Sequence, residues 1–150
     1  MASPYIERIL KARVYDVAIE SPLDAAPRLS RRIGNDVRLK REDLQPVFSF
    51  KLRGAYNKMA HLSPAQLAKG VVAASSGNHA QGVALAAQRL GAEATIVMPR
   101  TTPAIKVDAV KARGAKVVLH GESYSDSYEH AQSLVKKGNK AFIHPYDDPD

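Results

Sequence analysis

The stretch "PVFSFKLRGAYNKMA" (residues 46–60) places Lys51 and Arg53 in the first turn of a predicted helix, with Ser49 as the expected cap. Cations there oppose the helix macrodipole, typically by a few tenths to about 1 kcal/mol each. A glutamate three residues after the serine would close a capping box; Leu52 stands there instead. A lysine placed where a helix disfavours it is a candidate for chemistry as an amine.

A second stretch, "AASSGNHAQGVA" (residues 73–84), links an apolar run to a helical one. In a parallel α/β sheet such a turn lies at the carboxyl edge, where ligands bind. The following helix offers free N–H groups and its positive end to a carboxylate or phosphate. Gly77 and Gly82 share the spacing of half a P-loop, but Val83 and Ala84 replace the Lys-Ser/Thr it needs. The G-x-G-x-x-G dinucleotide pattern is absent. Two readings stay open on these residues alone: an anion cradle with Asn78 aimed at a neighbouring ligand, or a plain turn capped by Ser and Asn. Of the five histidines, only His79 lies in this motif, and no pair has the spacing of a helical metal site. No metal is expected.

These groups need a scaffold, and residues 46–146 supply an orderly one. Apolar runs "GVVAAS", "ATIVMP", "KVVLHG" and "AFIHP" read as buried strands. Between them lie "NHAQGVALAAQRLG", closed by Gly91; "TTPAIKVDAVKARG", with Thr102 as cap, Pro103 at the first helical position and Gly114 at the end; and "SDSYEHAQSLVKKG", ending in lysines and Gly138. A further helix is expected over about residues 52–59. Alternating strand and helix predicts an α/β fold: an open, mostly parallel twisted sheet flanked by helices. Residues 1–45 differ. "YIERILKARVYDVAI" fits a short amphipathic helix, "SPLDAAPRLSRRIG" a loop with a helical turn or two, and "DVRLKRED" a strand with Val37 and Leu39 on one face. The acidic tail "DDPD" reads as a solvated connection.

The composition narrows the class. The chain has 150 residues, no cysteine and a net charge of +7. Disulfides, thiolate chemistry and Cys–zinc sites are excluded. The basic residues are spread out, and "RLSRRIGNDVRLKRED" mixes in acids without a stacking aromatic, so no nucleic-acid partner is expected. No apolar run reaches membrane-span length, and Glu7, Arg8 and Lys11 interrupt any signal-peptide core, so a cytoplasmic, membrane-free protein is expected.

"LKREDLQPVFSFKLRGA" (residues 39–55), followed by "SSGNHAQG" and "IVMPRTTPAIKVDAVKARGAKVVLHG", resembles the threonine deaminase (threonine ammonia-lyase) family. These are pyridoxal-phosphate enzymes of fold type II, the tryptophan-synthase-β-like fold, and are related to serine racemases. The resemblance implies that Lys51 forms the Schiff base with pyridoxal 5'-phosphate and later takes the substrate Cα proton. Schiff-base formation needs a neutral amine, and a helix N-terminus disfavours a cation. It also implies that Phe50 packs beside the cofactor ring and that Asn78 hydrogen-bonds the ring oxygen. Ser75, Ser76, Gly77, Asn78 and His79 would receive the substrate carboxylate.

Ser76, where many threonine deaminases have alanine, matches the acid/base serine of the racemases and leaves that activity open. The implied reaction converts L-threonine, or L-serine, to 2-oxobutanoate or pyruvate and ammonia. The implied partners are a small amino-acid substrate and, in a complete protein, further copies of the chain. Residues 1–45 would belong to the large domain, residues 46–146 to the small domain that carries the lysine, and residues 147–150 to the return connection. The family's phosphate-binding loop and the partner of the pyridine nitrogen would lie past Asp150. The 150-residue chain alone would then be inactive, and a non-catalytic module that binds a partner subunit is the alternative.

Overall fold

The computed structural model describes residues 4–149. Its centre is a four-stranded, wholly parallel sheet of order β5-β4-β3-β6. The strands are β3 (Val71–Ala74), β4 (Ala94–Met98), β5 (Lys116–Leu119) and β6 (Ala141–Phe142). They run in register from Val71 beside Ala94, Thr95 beside Lys116, and Val71 beside Ala141. β3 and β4 are buried along their whole length, which explains their unbroken apolar sequences.

Successive side chains of β3 point to opposite faces. Val71 and Ala73 enter a core built with α3 (Lys51–Ala60), α5 (Asn78–Leu90) and α6 (Ala104–Lys111). Val72 and Ala74 enter a second core under α7 (Tyr124–Gly138). The chain therefore moves from β3 outward to β5 on one face and returns along the other to β6. β3 and β6 form a topological switch point, and their carboxyl ends frame a crevice.

Several boundaries depart from the sequence expectations. Helix α4 (Pro64–Lys69) was not anticipated. It is only six residues long, yet Ser63 and Gln66 form a complete capping box with Pro64 at its start. Helix α6 begins at Ala104 with Pro103 as its cap residue. Thr102 does not cap it, and its buried Oγ1 has no partner among the described residues. Gly91 and Gly114 take positive φ as expected, but Gly138 stays helical and Asn139 makes the left-handed turn instead, at φ 46°.

Near the N-terminus, α1 (Pro4–Lys11) stops earlier than the expected amphipathic helix, and a 3-10 turn follows at Val14–Asp16. Strand β1 (Leu23–Ala25) pairs antiparallel with β2 (Arg38–Lys40), and α2 (Pro27–Ile33) lies between them. Tyr56, fully buried on α3, donates its hydroxyl hydrogen to Asp16 at 2.6 Å and so ties this region to the core.

Candidate active site at the sheet's switch point

Lys51 is the first residue of α3. The cap position belongs to Phe50, not Ser49, but the Ser49 Oγ still accepts the Lys51 backbone N–H at 3.2 Å. The Leu52 side chain is fully buried with Ala18 and Val47 and pins the first turn from below. On the exposed side, the Lys51 Nζ donates to the Pro145 carbonyl at 2.8 Å and lies 5.4 Å from the Phe50 ring centroid. No carboxylate lies within ion-pair distance of it among the described residues.

A cleft of about 350 Å³ opens around this amine, lined by Phe50, Arg53, Lys58, His79 and the segment carrying His144, Pro145, Tyr146 and Asp148. It sits where the switch point predicts. β3 leads through the turn at residues 75–77 into α5, and β6 leads into residues 143–148. Helices α3 and α5 meet closely here. A Cβ on Gly82 would stand 3.0 Å from the Lys51 carbonyl oxygen and 3.1 Å from the Leu52 nitrogen.

Of the expected site residues, Phe50, Lys51 and His79 line the cleft. Ser75, Ser76, Gly77 and Asn78 form the adjoining turn instead: Ser75, Ser76 and Gly77 are half-buried, and Asn78 is the exposed first residue of α5. The Ser75 Oγ accepts the Gly77 N–H at 3.2 Å. No side chain caps α5. Its first-turn N–H groups, which have no intrahelical acceptors, are therefore available as anion donors at the carboxyl end of β3.

The His79 side chain does something the sequence did not suggest. Its ring is buried, with Nε2 2.9 Å from the Ile143 carbonyl oxygen. A carbonyl only accepts, so Nε2 carries the proton. Burial, with lesser contributions from Lys51 and His144, lowers the His79 pKa and keeps the ring neutral. The backbone N–H, not the ring, is what His79 can offer a carboxylate.

His144, Lys58, Tyr146 and Asp148 were missed as site residues. The acidic tail is not simply solvated: Asp148 pairs with Lys58 at 3.0 Å, and both side chains are largely covered. Lys58 lies two turns after Lys51 on the same helix, so the tail is drawn along the α3 face. Asp150 lies outside the described residues.

The donor set suits an anionic aldehyde cofactor. It combines one amine held only by a carbonyl, an uncapped helix end, and an aromatic ring beside them. The family model described as "Pyridoxal-phosphate dependent enzyme" matches residues 14–150. The chain belongs to this family. Among relatives of this pyridoxal-phosphate family member, the biosynthetic L-threonine dehydratase of Burkholderia multivorans is 59% identical over 148 residues. That match takes in 97% of this chain and 29% of the relative. A biosynthetic threonine dehydratase of Solanum lycopersicum is also 59% identical, with 97% of this chain and 24% of the relative covered.

The processed form of threonine deaminase isoform 2 from Solanum lycopersicum superposes with a TM-score of 0.93 at 58% identity, over 97% of this chain and 40% of that one. Maize serine racemase superposes at 0.90 with 34% identity, over 95% of this chain and 44% of that one. The chain thus spans about a quarter to three tenths of the length of these two dehydratases. Its fold is that of the fold type II pyridoxal-phosphate enzymes. Among the described residues no helix is long and apolar enough to cross a membrane, and no group of side chains could hold a metal ion.

Proposed function

We propose that this chain is part of a pyridoxal-phosphate-dependent L-threonine dehydratase that also accepts L-serine, releasing 2-oxobutanoate or pyruvate and ammonia. The observation that carries this reading is the Lys51 amine, set at the crevice beside the uncapped start of α5. Close likeness to threonine dehydratases supports the substrate choice. Residues 46–146 are the small domain, residues 1–45 the first piece of a larger one, and residues 147–150 the connection back to it.

In this reading Lys51 would hold the cofactor through its Nζ, with Phe50 beside the ring and Asn78 as the hydrogen-bond partner of the ring oxygen. When bound, the cofactor supplies an electron sink for the bond broken at Cα. The N–H groups at the start of α5, with Ser75 and Ser76, orient the substrate carboxylate. The Lys51 amine would act as the base that takes the substrate Cα proton. The β-hydroxyl leaves with a proton as water, and one water is taken up as ammonia is released, so the net change is loss of ammonia.

Borohydride reduction of the full-length protein, followed by peptide mapping, should leave a pyridoxyl group on the Lys51 peptide. Lys51→Ala should abolish 2-oxobutanoate formation with the fold intact. Label on another lysine would overturn the assignment.

Ser76 favours a second activity. It stands half-buried in the turn before α5, and in this reading its hydroxyl would serve as a second acid/base beside Lys51. Ser76→Ala should suppress serine racemisation and leave L-threonine deamination within about tenfold, roughly 1.4 kcal/mol. Equal loss of both activities would contradict separate roles.

A further inference from the structure

The first turn of α3 has an electrostatic problem of its own. Lys51 and Arg53 occupy its first and third positions, there is no acidic residue in the turn, and Phe50 provides no side-chain cap. Terminal turns fray unless their orphan N–H groups and charges are compensated. Yet this turn must present an amine with an accuracy at which a displacement of about 1 Å can cost on the order of 100-fold in rate. The compensation comes from elsewhere in the chain.

Glu42 lies in a 3-10 turn (Glu42–Leu44), eleven residues before Arg53. Its carboxylate accepts Arg53 Nε at 2.8 Å on one oxygen and Arg53 Nη2 at 3.0 Å on the other. The Ser21 hydroxyl, at 2.6 Å, and the Gln45 amide, at 3.2 Å, donate to it as well. The fully buried Gln45 in turn bridges the backbone N–H and C=O of Ile19, at 2.9 and 2.8 Å. Arg53 also reaches the Ile19 carbonyl at 3.3 Å and lies against the Tyr15 ring. Two other segments, the one carrying Ser21 and helix α3, therefore converge with Glu42's own turn on one carboxylate.

We propose that Glu42 is a positioning residue for Lys51: through a bidentate pair with Arg53 it supplies, from a distant turn, the negative charge that a capping box would have placed in the first turn of α3. The inference rests on the reading of Lys51 given above. Ser21 and Gln45 donate to the same carboxylate, and among the described residues their side chains make no hydrogen bond to α3, so they separate this role from a general tie between segments. The depressed Glu42 pKa, held to about 2 first by Arg53, agrees with a carboxylate that stays charged at working pH.

The test uses the full-length enzyme and its apo form. Four variants are compared: E42Q, which keeps shape but removes charge; R53Q; the E42Q/R53Q pair; and S21A as a control. Four quantities are read: the rate at which apo protein incorporates pyridoxal phosphate at Lys51, measured by borohydride trapping and peptide mapping; kcat and KM for L-threonine; and the thermal midpoint.

E42Q and R53Q should each slow trapping and lower kcat about tenfold, with KM changed less than about threefold. The double variant should be no worse than about twofold beyond either single one. S21A should lower the thermal midpoint and leave trapping and kcat within twofold. If E42Q lowers the midpoint but leaves trapping and kcat within twofold, or if the two substitutions add, Glu42 is only a tie between segments. Wild-type label on a lysine other than Lys51 would instead overturn the dehydratase assignment itself.

Discussion

His79 shows how one side chain couples the crevice to the stability of the fold. Its Nε2–H bonds Ile143 across 64 residues of sequence and joins the start of α5 to the exit of β6. Adding a second proton would put a cation in a buried position beside Lys51. Burial therefore lowers the folded-state pKa below the usual 6.5. As pH falls below 6.5, the unfolded chain binds a proton that the folded one resists. Stability is then lost progressively until the lowered folded pKa is passed.

Urea midpoints of the full-length protein should drop more steeply between pH 7.5 and 5 than those of His79→Gln, which can still donate to Ile143. Parallel curves would contradict this coupling. Glu42 acts in a lower window. Its carboxylate stabilises above the usual value near 4.5, and that contribution is lost as pH falls toward about 2.

At the scale of elements, the contact between α3 and α5 carries the tightest constraint. Replacing glycine by alanine within a helix ordinarily gains about 1 kcal/mol in propensity. At Gly82 the added methyl would meet the backbone of Lys51 and Leu52 at 3.0–3.1 Å, and backbone cannot turn aside as a flexible side chain can. Overpacking of this kind typically costs 1–3 kcal/mol, so strain wins. Gly82→Ala should destabilise by about 1 kcal/mol or more, measured by urea unfolding, and should lower kcat because the helix that moves carries Lys51. A stabilised, fully active variant would show that the helices yield. Gly91, at the other end of α5, has open space around it, and its constraint is its left-handed φ of 65° alone.

At the scale of the molecule, the sheet is covered on both faces, but the N-terminal region is not. Tyr5, Ile9, Leu10 and Tyr15 are each more than 60% exposed. Exposed apolar side chains gathered in one short segment suit burial against another part of a longer protein. This fits the proposal that residues 1–45 belong to a larger domain supplied by the remaining length of the relatives. Residues 1–150 produced alone should associate on size-exclusion chromatography, bind pyridoxal phosphate weakly without saturation, and form no measurable 2-oxobutanoate. Full turnover by that 16.3 kDa chain would refute the proposed division.

What the sequence determined by itself is what neighbours along the chain can encode. Strands β3 and β4 were legible as apolar runs, α5 through its closing Gly91, and α7 through its closing lysines; the Ser123 cap of α7 went unread. Each depends on local propensity, and each is present in the structure. Lys51 stood out because its charge opposes its own helix, again a local conflict. Helix α4 carried its signal in Ser63, Pro64 and Gln66 but was too short to show a period.

Other features were settled only by closure of the chain. The order β5-β4-β3-β6 put His144 and Pro145 beside Lys51, 94 residues away. The partners of Arg53, His79 and Lys58 were likewise decided at a distance. A hydrogen bond or ion pair between remote segments leaves no periodic trace, because its geometry exists only after packing brings the segments together. Ordinary serines, glutamates and carbonyls gain their roles from that packing.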